Sequence, residues 1–397
     1  MATLRQAIER HIERGAIPGS GDISVRILLQ AFRPVPSDSV RALQTQMFDS
    51  VSQKRPWAVI LCRFKGQMPD PLVENPIEQF YGKLFTPGTG GLVEYWRDVS
   101  LGAIDITGSR VFGWVEIDIP RSKAGVGSGE GRSTLVDRAI NAAKGVGDDP
   151  ITGFHSQIAI YTENWAKAGA PAGADWSDPV WGPFWIDGSA DGRGKVTLTP
   201  PHYVEDIAAH EMGHGFGMQH DVSDDFITHY ADPCCIMSQT PIFTNPVWKT
   251  NFGPAVCFPH LMQREWMYSH RVFHDDGAWL SLPNGISLPL APTSDPGARA
   301  NLGIKLAFKK ADDPWDYYLE YAKPTGWNQG LSQASLFIRR IGPGKDVGPT
   351  PAILGSIIVP ATIGTRAQFV EPSGNVRFQV ERFDPEGRIV KVTAKKL

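Results

Sequence analysis

Residues 210–221 read HEMGHGFGMQHD, and no other run constrains the chain as tightly. His210 and His214 are four apart, so on an α-helix they stand one above the other on the same face. Two imidazoles on one face can grip a single ion. Glu211, beside the first of them, is placed to reach a metal-bound water rather than the metal. Gly217 then ends the helix, because glycine turns the chain sharply at no steric cost. The turn brings His220 round as a third ligand. Three neutral nitrogens leave a fourth position open for water, the donor pattern of a catalytic rather than a structural zinc site. Three satisfied structural histidines are the bland alternative, but five positions fixed at one spacing weigh against it.

The helix that carries these residues is intrinsically weak. Val204 to Ala209 (VEDIAA) leads into it, with Tyr203, Val204, Ile207 and Ala208 as its buried stripe. Gly213 and Gly215 lie inside it, and each costs about 1 kcal/mol against alanine. Such a helix holds only when packed, and small residues there permit close approach of another layer. His202 and His229 flank the motif and are read as non-ligands, since three histidines suffice. His155, on a strand, is read as core or surface.

Upstream, Trp57 to Phe64 (WAVILCRF) is nearly all apolar, the mark of a strand buried on both faces. Asp22 to Phe32, Ile104 to Ile119 around Gly108, His155 to Glu163 and Trp181 to Leu198 supply further strand candidates. Met1 to Gly15, Val40 to Ser52, Pro76 to Leu84, Gly91 to Val99 and Ser133 to Lys144 read as helices, the last with Ser133 as N-cap. This order predicts a mixed α/β layer. Beyond about residue 275 the texture changes to short alternating runs between frequent turn signals. They are Ile286 to Leu290, Leu302 to Phe308, Tyr317 to Tyr321, Ser335 to Ile341, Ala352 to Val359, Val376 to Phe383 and Arg388 to Val392. That pattern predicts an all-β, sandwich-like region. The expected division is an N-terminal extension over 1–50, a catalytic α/β domain over 51–275 and a β-domain over 276–397. A chain of 397 residues exceeds the usual size of one domain, which agrees.

A net charge of −3 offers no basic field for nucleic acid or an anionic membrane. No apolar run reaches the roughly 18 residues that span a bilayer. The amphipathic, charged N-terminus lacks the apolar stretch of a secretory signal. The expectation is a chain acting in the cytoplasm, exported by another route, or written without its leader. Cys234, Cys235 and Cys257 are read either as a short loop-closing bridge or as buried thiols, since adjacent cysteines satisfy no metal spacing here. Asp187 to Gly192 (DGSADG) partly fits a Ca2+ loop, with Asp187, Ser189 and Asp191 at alternate positions. Leu198 stands where the closing acid belongs, so a hairpin turn is favoured. Asp224 and Asp225 read as a solvated loop rather than a calcium site.

The extended form H-E-x-x-H-x-x-G-x-x-H resembles the metzincin peptidases, which carry a methionine turn downstream. Residues 234–238 read CCIMS, placing Met237 where that turn belongs. The resemblance implies that Met237 packs beneath the zinc ligands as a hydrophobic floor. Within the metzincins the chain is most similar to the immune inhibitor A and gametolysin-like groups. Tyr95 to Trp114, Asn251 to Trp266 and Tyr317 to Ile341 resemble their domain-entry segment, closing helix and following strand pair. The likeness covers about residues 90–345 and is strongest at the histidines. Two departures stand out. Many immune inhibitor A relatives carry Asp at the third ligand position, whereas here it is His220, as in gametolysin. Some metzincins place a Tyr two residues after the methionine, where it helps bind the oxyanion; here that residue is Gln239.

The resemblance implies a metzincin-type α/β (α+β) catalytic domain with a mixed twisted sheet, a zinc-site helix and a secreted location. It implies an edge strand, Trp181 to Ile186 or Lys195 to Thr199, that pairs with the substrate backbone. Ser238, Gln239 and Pro241 then form one wall of the cleft. The expected function is a zinc-dependent endopeptidase acting on a peptide or protein. Zn2+ is held by His210, His214 and His220, Glu211 is the general base, and Asp221 orients a ligand or anchors the loop. A zinc amide hydrolase with one dedicated substrate, a non-catalytic binding module and a three-histidine iron oxidoreductase remain as rivals.

Overall fold

The computed structural model describes residues 52–124, 132–162, 185–188, 194–198, 205–226, 228, 230–238, 243–244, 251–308, 315–343, 349–382 and 384–397. The expected elements before Ser52 lie outside these residues. In chain order the first half contains β1 (Gln53–Lys54), β2 (Trp57–Arg63), α1 (Pro71–Leu84), α2 (Leu92–Val99), β3 (Ile104–Asp105) and β4 (Arg110–Glu116). It continues through α3 (Arg132–Gly145), β5 (Ser156–Tyr161), β6 (Trp185–Gly188), β7 (Gly194–Leu198), α4 (Glu205–Gly215) and β8 (Val222–Ser223).

One five-stranded sheet organises this half, in the order β4-β2-β5-β7-β6. Its first four strands run parallel and β6 runs antiparallel to β7. The apolar run in β2 explains its central place. Trp57, Val59 and Leu61 face the core that also takes residues of α1, α2 and α4. Ala58, Ile60 and Cys62 face the opposite core, built with Leu135, Val136 and Ala139 of α3. A strand apolar at every position therefore serves two layers, as its composition predicts. Among the described strands β6 forms the outer edge, so Trp185 and Ile186 are at an edge while Lys195 to Leu198 are not.

Two details differ from the expected elements. Helix α1 begins at Pro71 rather than Pro76, because Asp70 caps it by accepting from the Leu72 N–H at 3.0 Å. Ser133 lies inside α3 rather than capping it, and its Oγ accepts from Lys195 Nζ at 3.3 Å.

The second half holds β9 (Phe243–Thr244), β10 (Asn251–Phe252), α5 (Phe258–Gln263), β11 (Val272–Asp275), β12 (Ile286–Leu290), β13 (Gly303–Phe308) and β14 (Trp315–Ala322). It ends with β15 (Ser335–Pro343), β16 (Pro349–Ile358), β17 (Arg366–Val370), β18 (Val376–Arg382) and β19 (Val390–Lys396). A six-stranded sheet, β11-β13-β14-β15-β16-β8, and a four-stranded sheet, β12-β19-β18-β17, share one apolar core. Alternate residues such as Ile304, Leu306, Phe378 and Val392 fill it, which is how two sheets pack face to face. The β-rich tail is thus sandwich-like, as the alternating runs predict. Strand β8, directly after His220 and Asp221, pairs parallel with β16 and so belongs to this second sheet. No helix among the described residues is long and apolar enough to cross a membrane.

One buried ionic cluster ties the two halves together. Arg339 of β15 grips Asp232 through Nε at 2.5 Å and Nη2 at 3.1 Å, and Glu320 of β14 through Nη1 at 2.7 Å. All three side chains are almost completely buried. Burial pushes the Glu320 carboxyl up from its usual range, with the Arg339 charge opposing that rise.

Candidate metal centre

Helix α4 carries the first two histidines and ends as its glycine requires. Gly217 has φ +83°, in the left-handed region. The Met218 N–H donates to Gly213 O at 3.1 Å, and the Gly217 N–H to His214 O at 2.7 Å. These two bonds are a Schellman C-cap, which reverses the chain and satisfies the last carbonyls of the helix. The reversal brings His220 back over the helix end.

The three imidazoles meet there. One donor nitrogen from each of His210, His214 and His220 lies within 4.8 Å of the others. His210 Nδ1 donates to Ile236 O at 2.7 Å and His214 Nδ1 to Met218 O at 2.9 Å. Carbonyl oxygens only accept, so both hydrogens sit on Nδ1 and Nε2 is the atom each ring has to offer an ion. Nε2 of His214 and Nε2 of His220 are 3.0 Å apart. Nitrogens held at about 2.0–2.1 Å by a tetrahedral zinc stand about 3.3 Å from one another. The His214–His220 pair is within a few tenths of an ångström of that separation, and with all three donors within 4.8 Å of one another the set is able to close on a divalent cation such as zinc. Burial pushes His210 down to about 3, with the neighbouring His220 charge adding to the effect. His214 is held well below the usual histidine value, again chiefly by burial. Both rings are neutral at neutral pH, the state a ligand needs.

The support beneath α4 is close-packed. A Cβ at Gly213 would overlap Sδ of Met237, and a Cβ at Gly215 would overlap the Trp57 ring of β2. The two weak helical glycines thus exist for contact on opposite neighbours. Met237 is fully buried, and its carbonyl accepts from the Asp221 N–H at 3.1 Å, linking the 234–238 turn to the segment after His220. Glu211 is buried beside His210. Ser238 is buried, and its Oγ accepts from the Asp232 N–H at 2.7 Å. Gln239 and Pro241 lie outside the described residues, as do His202 and His229.

His155 is not part of the cluster. It stacks on Phe216, meets Trp57 edge-on and lies 3.1 Å from Arg55 Nη1. The carboxylate of Asp225 accepts from Ser223 Oγ, the Thr228 N–H and Thr228 Oγ1, and so organises its own loop. Asp187 lies in the β6–β7 hairpin opposite Lys195, and residues 189–193 are outside the described set. A cavity of about 970 Å³ opens elsewhere, between Glu94, Arg97, Asp105, Tyr268 and Trp327, and includes none of the three histidines.

Sequence reasoning missed two features. Tyr230 Oη lies 3.2 Å from His220 Nε2, with the rings 4.7 Å apart. Its φ is +61°, its side chain is 43% exposed, and its N–H donates to Asp221 O at 3.0 Å. A tyrosine in a polar loop carries no spacing signal; only the left-handed backbone and the fold aim it at the histidines. The second feature is a buried group made of Asp221, Cys235, Cys257 and His260. All four cysteines of the chain are free, so the loop-closing bridge is not formed. The expectation that these cysteines serve no metal spacing rested on sequence separation, whereas the fold brings two of them together.

A candidate metal-binding triad on a helix among mixed sheets, followed by a β-rich region, is the class of arrangement the chain displays. No protein-family model matches the chain, and no match is found among curated proteins.

Proposed function

We propose that the chain is a zinc-dependent endopeptidase of the metzincin kind, similar to the immune inhibitor A and gametolysin-like groups. The observation that carries this reading is the convergence of three imidazoles, from His210, His214 and His220, on one point, a donor set that in a catalytic zinc site leaves the fourth position to water. Bound zinc supplies Lewis acidity and lowers the pKa of its water to about 7. Glu211 takes the proton of the attacking water on its carboxylate and delivers it to the leaving amine. His210 and His214 are oriented for their role by the carbonyls of Ile236 and Met218. Met237 is the apolar floor under the helix, and Asp221 anchors the loop that presents His220.

Tyr230 takes the place that Gln239 leaves vacant in the metzincin pattern. Its hydroxyl, 3.2 Å from His220 Nε2, is the proposed donor to the oxygen on which charge develops. Strand β6, at the sheet edge, pairs with the extended substrate backbone. Ser238, Gln239 and Pro241 are the residues proposed for one wall of the cleft. Residues 51–275 are the proposed catalytic domain, with β8 and β11 contributed to the sheet of the 276–397 β-domain, and 1–50 an extension. Digestion of a proteome-derived peptide library with and without chelator, read by mass spectrometry, tests the reading. Internal cleavages that vanish on chelation and return with zinc are expected. An undigested library, with casein also intact, points instead to an amide hydrolase with a single substrate or to a binding module.

A further inference from the structure

Asp221, Cys235, Cys257 and His260 come from three separate segments and are each fully buried. One donor atom from each lies within 4.8 Å of the others. The Cys257 thiol is 3.8 and 3.9 Å from the two carboxylate oxygens of Asp221. His260 Nδ1 is 3.1 Å from Gln263 Oε1, which only accepts, so that nitrogen carries a hydrogen. His260 Nε2, the other ring nitrogen, points into the cluster. It is 3.1 Å from Asp221 Oδ1 yet makes no hydrogen bond. A fully buried ring nitrogen without a hydrogen bond, set beside a carboxylate oxygen and two thiols, is a donor atom that a cation at the centre of the group would satisfy.

Two thiols, one imidazole and one carboxylate around a single dry point form a closed, four-donor set. Sulfur and nitrogen donors select zinc over the hard cations calcium and magnesium. Four protein ligands leave no open position, which is the structural pattern and not the catalytic one. We propose that Asp221, Cys235, Cys257 and His260 form a second, structural zinc site. On binding, each thiol gives up its proton to solvent and two zinc–sulfur bonds form, with no change of oxidation state. The site shares no ligand with the three histidines and stands whether or not the chain is a peptidase. Its effect is mechanical. Asp221 follows His220, Cys235 sits in the turn that holds Met237, and Cys257 and His260 bracket the start of α5. One ion would pin all three segments behind the triad.

The test is zinc stoichiometry and zinc-edge X-ray absorption on the purified full chain. Wild type is expected to hold two zinc ions per chain, with a sulfur shell at about 2.3 Å. His214→Ala should lose one ion, and the ion that stays should show twice the sulfur per zinc. Cys257→Ala should also hold one, with no sulfur shell, while Cys62→Ala should keep both. Should Cys257→Ala fail to fold, the wild-type and His214→Ala spectra decide alone. A sulfur-free zinc shell in wild type overturns the proposal. So does a Cys235–Cys257 disulfide, seen as a mass two hydrogens below the reduced chain. Sulfur-ligated zinc in a wild type holding only one ion would keep this site and sink the triad instead.

Discussion

Gly215→Ala should destabilise the protein, although alanine is the better helix former. In a helix interior the exchange gains about 1 kcal/mol from propensity. At Gly215, however, the new Cβ would overlap Cη2 of Trp57 and stand 2.9 Å from its Cζ2. Trp57 is fully buried at the start of β2, with His155 and Phe216 edge-on, each at 5.7 Å between centroids. Full burial between those two rings makes its displacement costly. Overpacking a close-packed site costs about 1–3 kcal/mol, and a rigid neighbour puts this case near the top. The net expectation is a loss of about 1–2 kcal/mol. Gly82 in α1 is the control, because a Cβ there meets nothing within 4 Å. Gly82→Ala should stabilise by about 0.5–1 kcal/mol. Urea unfolding of the metal-free proteins, followed by tryptophan fluorescence and circular dichroism, measures both without metal linkage. If Gly215→Ala gains stability as Gly82→Ala does, α4 is not pressed against the sheet and the packing account fails.

Three further outcomes follow from the same geometry. Tyr230→Phe should lower kcat by about 100-fold with zinc content and KM little changed, as expected for loss of one oxyanion donor; steady-state kinetics on a fluorogenic peptide reads it. Gly217→Ala forces a β-carbon into φ +83°, so it should cost about 1–2 kcal/mol and weaken zinc retention by displacing His220. Competition with a colorimetric chelator measures the retention. Arg339→Met strands the buried carboxylates of Asp232 and Glu320, and should cost about 3–5 kcal/mol in denaturant titration.

Periodicity made the framework legible wherever one residue type carried one physical demand. The unbroken apolar run of β2 announced a strand with two covered faces, and the alternation after residue 275 announced the sandwich. Gly217 announced the helix end because a left-handed turn needs a residue without a side chain. What stayed hidden depended on distant partners. Strand β8 pairs with β16 across some 130 positions, as Val222 opposite Ala352 shows, and two residues of pattern cannot reveal that. Strand β17 alternates between an exposed face, Arg366, Gln368 and Val370, and an inner face, Ala367 and Phe369, that is only partly buried, so its apolar signal is too short and weak to stand out. Tyr230 reaches the imidazoles only through its backbone angle. Asp221, Cys235, Cys257 and His260 follow no repeating interval, and their meeting is a product of the folded chain alone.

The claim that zinc held by His210, His214 and His220 serves hydrolysis rests most directly on Glu211. The decisive measurement compares wild type and Glu211→Ala, matched for zinc content, in the same peptide-library digest. The account predicts internal cleavages by wild type and none above background by the variant, with the triad's zinc still bound. Identical cleavage by both proteins, or by the chelated wild type, would contradict it.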